Sequence, residues 1–100
     1  MNIQEAQKAV QDSLAPHQAN TTLERRALFL NTEVGEVQKE LLYFLGVYGA
    51  SKIEGARQRL AAELADVIWN VLDMANKLDL DMQSELISML ERHKRRTWTI

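Results

Sequence analysis

Apolar residues recur at the spacing of an α-helix along two long segments, and this pattern narrows the possible folds most. The first stripe consists of Leu23, Ala27, Leu30, Val34, Val37, Leu41 and Phe44, and the second of Leu60, Leu64, Val67, Val71, Met74 and Leu78. The only proline is Pro16, and no stretch alternates between apolar and polar residues for long enough to indicate a sheet. The sequence therefore predicts an all-α fold.

Four helices account for this pattern. We predict them from about Ile3 to Ser13, from Leu23 to Phe44, from a capping box at residues 51–54 to about Leu78, and from a cap at Asp81 to about Arg95. Pro16 and the cluster at residues 20–22 separate the first two helices, and the cluster offers a cap. A loop at residues 45–50 and a turn at residues 79–81 make the other connections. The inner residues of the last helix are expected to be Leu86, Met89 and Leu90.

Short connections make neighbouring helices antiparallel, so we expect an antiparallel helical bundle of about four helices in a single domain, residues 1–100. A chain of 100 residues buries only a modest core. We therefore expect the bundle to be completed by oligomerisation.

Composition excludes several classes of function. The net charge of −2 gives no overall attraction to nucleic acid or to a membrane. The chain has no cysteine, which excludes disulfides, thiolate nucleophiles and zinc–thiolate sites. No apolar run approaches the length of a membrane span, and the N-terminal residues 1–5 are too polar for a signal peptide. We expect a cytoplasmic protein with neither membrane nor nucleic acid as a partner.

Two acidic steps lie inside the two long predicted helices: Glu33-Val-Gly-Glu36 and Glu63-Leu-Ala-Asp66. Carboxylates three residues apart share one face of a helix. In an antiparallel pair, these acids converge beside an apolar seam, where desolvation and mutual repulsion oppose ionisation. A hard divalent cation such as Mg²⁺ balances such charges and points to a phosphate-bearing substrate. A solvated helix face carries similar pairs, since 14 acids in 100 residues give about two acid-x-x-acid pairs by chance.

The sequence around these acids resembles the MazG-like nucleoside triphosphate pyrophosphohydrolases of the all-α NTP pyrophosphatase superfamily. The resemblance rests on the acidic steps, on Gly35, on the ELADV run at residues 63–67 and on residues 78–81, and it covers roughly Leu23 to Arg95. It implies hydrolysis of (deoxy)nucleoside triphosphates between the α and β phosphates, giving a nucleoside monophosphate and pyrophosphate in nucleotide-pool house-cleaning. It also implies a Mg²⁺ cofactor, for which Mn²⁺ substitutes, and a homodimer or homotetramer.

Site residues follow from the same resemblance. It makes Glu33, Glu36, Glu63 and Asp66 the catalytic residues and metal ligands. We expect Glu36, Glu63 and Asp66 to hold the principal metal, with Glu33 binding a second metal or accepting the proton of the attacking water. Thr32 stands where many members carry a further acid, which leaves the choice of general base open.

Further residues are expected to bind the substrate. Asn70 follows Asp66 by one helical turn and is expected to orient a water or the sugar. Lys39, Lys94 and Arg95 are candidates for the triphosphate, although bases at the end of a helix also complement its dipole.

Two other interpretations remain open. The acids are merely solvated if the chain is a non-enzymatic helical protein-interaction module. Alternatively, the basic run at residues 92–96 binds nucleic acid together with Trp98. The net negative charge and the acidic steps disfavour this last interpretation.

Overall fold

A computed structural model describes residues 1–15 and 22–97, which contain four α-helices and no strand. The helices are α1 (Ile3–Leu14), α2 (Leu23–Phe44), α3 (Ala56–Lys77) and α4 (Met82–Lys94), and a short 3-10 helix (Ala50–Lys52) precedes α3. The all-α prediction is confirmed. The predicted break at Pro16 and the role of Trp98 lie outside the described residues. None of the described helices combines the length and the apolar character needed to cross a bilayer.

Polar side chains cap three of the four helices. Asn2 and Glu5 form a capping box at the start of α1. Thr22 and Asp81 cap α2 and α4, each accepting a hydrogen bond from the backbone N–H three residues further on. The predicted caps within residues 20–22 and at Asp81 are confirmed.

The predicted capping box at residues 51–54 is wrong. The chain there forms the 3-10 helix and a turn, and α3 begins only after Gly55, whose φ of 75° lies in the left-handed region. The left-handed conformation of Gly55 interrupts the helical conformation between residues 51–54 and α3. Instead of a cap, the guanidinium of Arg59 donates hydrogen bonds to two carbonyl oxygens of the loop, at 2.8 and 3.0 Å.

The turn between α3 and α4 is a Schellman motif. Asp79 has a φ of 54°, and the N–H groups of Asp79 and Leu80 donate to the carbonyls of Asn76 and Ala75. Gln7 ties α1 to this turn: its side-chain amide donates to the Leu80 carbonyl at 2.6 Å and accepts from the N–H of the first residue of α4 at 3.2 Å. The predicted short turn at residues 79–81 is confirmed.

The helices of one chain do not enclose a large core. α2 packs along α3 in antiparallel fashion, and α1 packs on α3 and contacts α4. Among the described residues, the buried apolar side chains are Val10, Ala56, Leu72 and Ala75. The accessible surface is 7699 Å², whereas about 5,800 Å² is typical of a folded monomer of 11.5 kDa. The radius of gyration is 16.4 Å, against about 13 Å for a compact chain of this length.

The apolar face of α4 is uncovered, contrary to the sequence-based expectation. Leu86, Met89 and Leu90 are 40–51% exposed, because α4 packs mainly against α1 and not inside a bundle. Several members of the two long stripes, among them Leu41 and Leu64, are also exposed. No residue of the two stripes is buried, and α2 instead buries Arg26 and Glu40. Helical periodicity located the helices, but a single chain leaves much of their apolar faces open to solvent.

Candidate functional site

Charged residues spaced seven apart form three polar layers between α2 and α3. α2 contributes Arg26, Glu33 and Glu40, and α3 contributes Arg59, Asp66 and Asp73. Residues at this spacing lie on nearly the same face of a helix. Because the helices are antiparallel, Arg26 meets Asp73, Glu33 meets Asp66, and Glu40 meets Arg59. We call these the Arg26 layer (Arg26, Asn70, Asp73), the acid layer (Glu33, Glu63, Asp66) and the Arg59 layer (Glu40, Arg59).

The acid layer gathers three of the four predicted metal ligands. A carboxylate oxygen from each of Glu33, Glu63 and Asp66 lies within 4.8 Å of one from each of the others. Glu33 and Glu63 are half-buried and Asp66 is exposed, so one side of the layer opens to solvent. The middle of α2 supplies one carboxylate, and two successive turns of α3 supply the other two.

The surroundings of Glu63 oppose its ionisation. Burial raises the pKa of Glu63 above its ordinary value of 4.5. The negative charges of Glu33 and Asp66, hydrogen bonding with Glu33 and the charge of Glu36 raise the pKa of Glu63 further. In the outer layers each acid has a base beside it, whereas the acid layer holds acids alone. A cation at this position would relieve the repulsion.

Glu36 stands beside the acid layer without joining it. Its Oε2 lies 2.9 Å from the Nζ of Lys39 on the same helix, where Lys39 is exposed and Glu36 is half-buried. The hydrogen bond to Glu36 raises the pKa of Lys39. Glu36 is nevertheless close enough to Glu63 to raise the pKa of that carboxyl group. Of the four predicted ligands, Glu36 thus pairs with Lys39, while Glu33, Glu63 and Asp66 lie together in the acid layer.

Asn70 is held inside the protein. Its Oδ1 accepts a hydrogen bond from Nη1 of Arg26 at 2.7 Å, and its Nδ2 donates to the backbone carbonyl of Asp66 at 2.7 Å. The residue is only 5% exposed. Both ends of the amide are therefore engaged within the chain, and its contact with a water or a sugar stays a prediction.

Lys94 and Arg95 lie at the end of α4, whose main packing partner is α1, whereas the acids lie on α2 and α3. The Nζ of Lys94 is 3.0 Å from Oε1 of Glu91, and Arg95 is the C-terminal cap of the helix. These contacts are typical of helix-end bases. Binding of a triphosphate by these residues or by Lys39 stays a prediction.

The sequence analysis missed the two cations of the outer layers. Nε of Arg26 lies 2.7 Å from Oδ2 of Asp73, and Nε of Arg59 lies 2.8 Å from Oε2 of Glu40. Arg26, Asp73 and Glu40 are all buried. One signal was available: each base stands seven residues from an acid of an acidic step, so it occupies the same helix face.

The donor set of the acid layer fits a hard divalent cation. It offers only carboxylate oxygens, which suit Mg²⁺, and it offers them from two helices at one point. Acidic groups of this kind also occur on solvated helix faces. Comparison with known proteins identifies no relative, since no family model matches the chain and no curated protein or solved structure is significantly similar to it.

Proposed function

We propose that this protein is a Mg²⁺-dependent nucleoside triphosphate pyrophosphohydrolase. It would cleave (deoxy)nucleoside triphosphates between the α and β phosphates, releasing a monophosphate and pyrophosphate, in nucleotide-pool house-cleaning. The acid layer carries the proposal: Glu33, Glu63 and Asp66 converge within 4.8 Å between two layers in which every acid has its base. The bond cleaved and the substrate class come from the resemblance of the acidic steps and their surroundings to the MazG-like enzymes.

Each acid has a part in the proposed reaction. Glu33, Glu63 and Asp66 would hold Mg²⁺, for which Mn²⁺ would substitute. Bound by these acids, the ion would supply charge neutralisation at the phosphate oxygens and ease deprotonation of the attacking water. Glu36 lies next to Glu63 but outside the acid layer, and it would accept the proton of the attacking water. This division exchanges the roles of Glu33 and Glu36 expected from the sequence.

The proposal includes self-association into a homodimer or homotetramer. The accessible surface of 7699 Å² exceeds that of a typical monomer of this mass by about 1,900 Å². A stable interface buries about 800 Å² per partner, so the excess is large enough for one. Much of the exposed area is apolar, on α2, α3 and α4. Light scattering coupled to size-exclusion chromatography tests this part, and a monomer at micromolar concentration would contradict it.

Pyrophosphate release from a panel of NTPs and dNTPs tests the activity. The comparison is Mg²⁺ against EDTA, for wild type, for Glu63→Gln and for Glu24→Gln, which changes an exposed acid on α2. We expect Mg²⁺-dependent release of pyrophosphate together with the matching monophosphate, lost in Glu63→Gln and kept in Glu24→Gln. Orthophosphate as the product would mean that another bond is cut. Absence of turnover in the folded protein would reject the enzymatic proposal.

A second candidate is a non-enzymatic helical protein-interaction module. The uncovered apolar face of α4, which includes Leu86, Ile87 and Leu90, favours it. The two candidates differ in their response to Mg²⁺ alone. A cation bound by the acid layer raises the melting temperature by mass action, whereas solvated acids respond to MgCl₂ no more than to an inert salt of equal ionic strength.

A further inference from the structure

We propose that Arg26 is a positioning residue for the cation site of the acid layer. It would set the position of Glu33 on α2 relative to Glu63 and Asp66 on α3 without itself holding the cation. This inference rests on the proposed function, because it requires that the acid layer binds a divalent cation.

Two hydrogen bonds link Arg26 to the part of α3 that carries the acids. Nη1 of Arg26 donates to Oδ1 of Asn70 at 2.7 Å, and Nδ2 of Asn70 donates to the Asp66 carbonyl at 2.7 Å. Arg26 also lies two helical turns before Glu33 on α2. The connection therefore runs from the helix of one acid to the backbone of another.

The guanidinium of Arg26 has little freedom to move. It lies over the ring of Trp69 with its central carbon 4.9 Å from the ring centroid, and 5.7 Å from that of Phe29. Nε of Arg26 is 2.7 Å from Oδ2 of Asp73, although its N–H is not aligned with this or another acceptor in the described chain. Contact between Arg26 and Asp73 is thus mainly charge attraction, and the aligned hydrogen bond goes to Asn70.

Burial makes this arrangement resistant to sliding. Arg26 is 5% exposed and Asp73 is 2% exposed. Separating them leaves the buried guanidinium of Arg26 without a carboxylate, although Asp73 keeps its contact with Nζ of Lys77 at 2.8 Å. A shift of α2 against α3 by one residue displaces Glu33 along the helix axis by about 1.5 Å relative to the acids of α3. Mg²⁺ requires oxygen ligands at about 2.0–2.1 Å in near-ideal octahedral geometry, whereas Ca²⁺ accepts more ligands and looser geometry. The Arg26 layer therefore favours the smaller cation.

The Arg59 layer differs in what its guanidinium binds. Arg59 pairs with Glu40, and its other nitrogens donate to carbonyl oxygens of the loop before α3. Within the described chain, its hydrogen bonds go to Glu40 and to these two loop carbonyls, none of which belongs to the acid layer. Arg26, by contrast, reaches the backbone of Asp66 through one intermediate side chain.

Titration of the metal-free full-length protein with MgCl₂ and with CaCl₂ tests the inference, using calorimetry well below the melting temperature. We expect Arg26→Gln to weaken Mg²⁺ binding by about 10- to 100-fold, the usual effect of losing a residue that orients metal ligands. Ca²⁺ binding should weaken less, so the ratio of Mg²⁺ to Ca²⁺ affinity falls. Arg25→Gln removes the same charge from the exposed adjacent position and should leave both affinities unchanged.

Each other outcome decides between the inference and the proposed function. A folded Arg26→Gln with the wild-type affinity ratio overturns the inference and leaves the proposed function in place. Failure of wild type to bind either cation overturns both. If Arg26→Gln does not fold, Asn70→Ala cuts the link to Asp66 while keeping the Arg26–Asp73 pair, and an unchanged ratio in that variant overturns the inference.

Discussion

Charged residues meet in pairs between α2 and α3, whereas α4 presents an apolar face that the described chain leaves uncovered. Arg26 pairs with Asp73 and Glu40 with Arg59, at 2.7 and 2.8 Å. Ile87, in the middle of α4, is 55% exposed. A buried ion pair tolerates one register only, because any other leaves a charge unpaired. Apolar contact is non-directional, so an apolar face requires only that another apolar surface covers it. The α2–α3 register is therefore specified within the chain, whereas the described chain leaves the apolar face of α4 exposed.

Breaking the Arg26 layer should have the largest effect on stability. Asp73→Ala leaves the buried guanidinium of Arg26 without its carboxylate, and we expect a loss of about 3–5 kcal/mol in the free energy of unfolding. Urea denaturation at fixed protein concentration measures this loss. The matched control is Asp12→Ala, which breaks an exposed pair with Lys8 and should cost less than about 0.5 kcal/mol. Equal losses in the two variants would show that burial of the Arg26–Asp73 pair does not increase its contribution to the free energy of unfolding.

The bounds of the helices were largely predictable because the signals are local. α2 was expected from Leu23 to Phe44 and has those bounds, and the cap at Asp81 lies where the sequence placed it. The start of α3 was not predictable from a local motif. It depends on the left-handed Gly55 and on the reach of Arg59 back to the loop, and neither is encoded in a four-residue pattern.

The candidate site was predictable only in part, for a related physical reason. Antiparallel packing of two acidic steps is enough to bring Glu33 to Glu63 and Asp66. The separation of Glu36 depends on its side-chain conformation and its pairing with Lys39, which periodicity does not reveal. Exposure of the apolar face of α4 also escaped prediction, because a sequence pattern identifies an apolar face but not what covers it.

The acid layer lacks the basic partner that the outer layers have. Mg²⁺ should balance the charge of its carboxylates as Arg26 and Arg59 balance the charge of the outer layers. At a concentration 100 times the dissociation constant, we expect Mg²⁺ to raise the free energy of unfolding by about 2.7 kcal/mol. EDTA should remove the whole gain, and Glu63→Gln most of it. Denaturation with and without MgCl₂ at constant ionic strength measures the gain, and an equal gain in Glu63→Gln would exclude the acid layer as its source.

The unpaired acids should also make stability depend on pH in the absence of metal. Below pH 4.5, the ordinary pKa of Glu63, its carboxyl group is largely protonated in both states and imposes no penalty. As pH rises above 4.5, the Glu63 carboxyl group loses its proton in the unfolded state, while in the folded state it keeps the proton up to its raised pKa. The free energy of unfolding therefore falls until the pH has passed the folded-state pKa. Glu63→Gln removes this fall. In EDTA the variant should therefore gain stability over wild type from pH 4.5 upward, by less than about 1 kcal/mol because solvent screens a half-buried group.

Urea denaturation between pH 4 and pH 8 measures the difference between the two proteins. Glu24→Gln, outside the acid layer, corrects for the loss of one negative charge from the whole molecule. A difference that does not change with pH would show that repulsion among the acids is too weak to matter. The contrast between the acid layer and the outer layers would then lose its energetic basis.

The smallest effect on stability is expected on α4, whose apolar face is exposed. Ile87→Ser changes a residue that is 55% exposed, so in dilute solution it should cost less than about 0.5 kcal/mol. Leu72→Ala, at a buried position of α3, should cost about 2–5 kcal/mol. Urea denaturation at the lowest workable protein concentration compares the two. If Ile87→Ser instead costs about 2 kcal/mol or more, and the cost grows with protein concentration, a second copy of the chain covers α4. The face of α4 would then be as closely specified as the α2–α3 pair, by contacts between chains instead of within one.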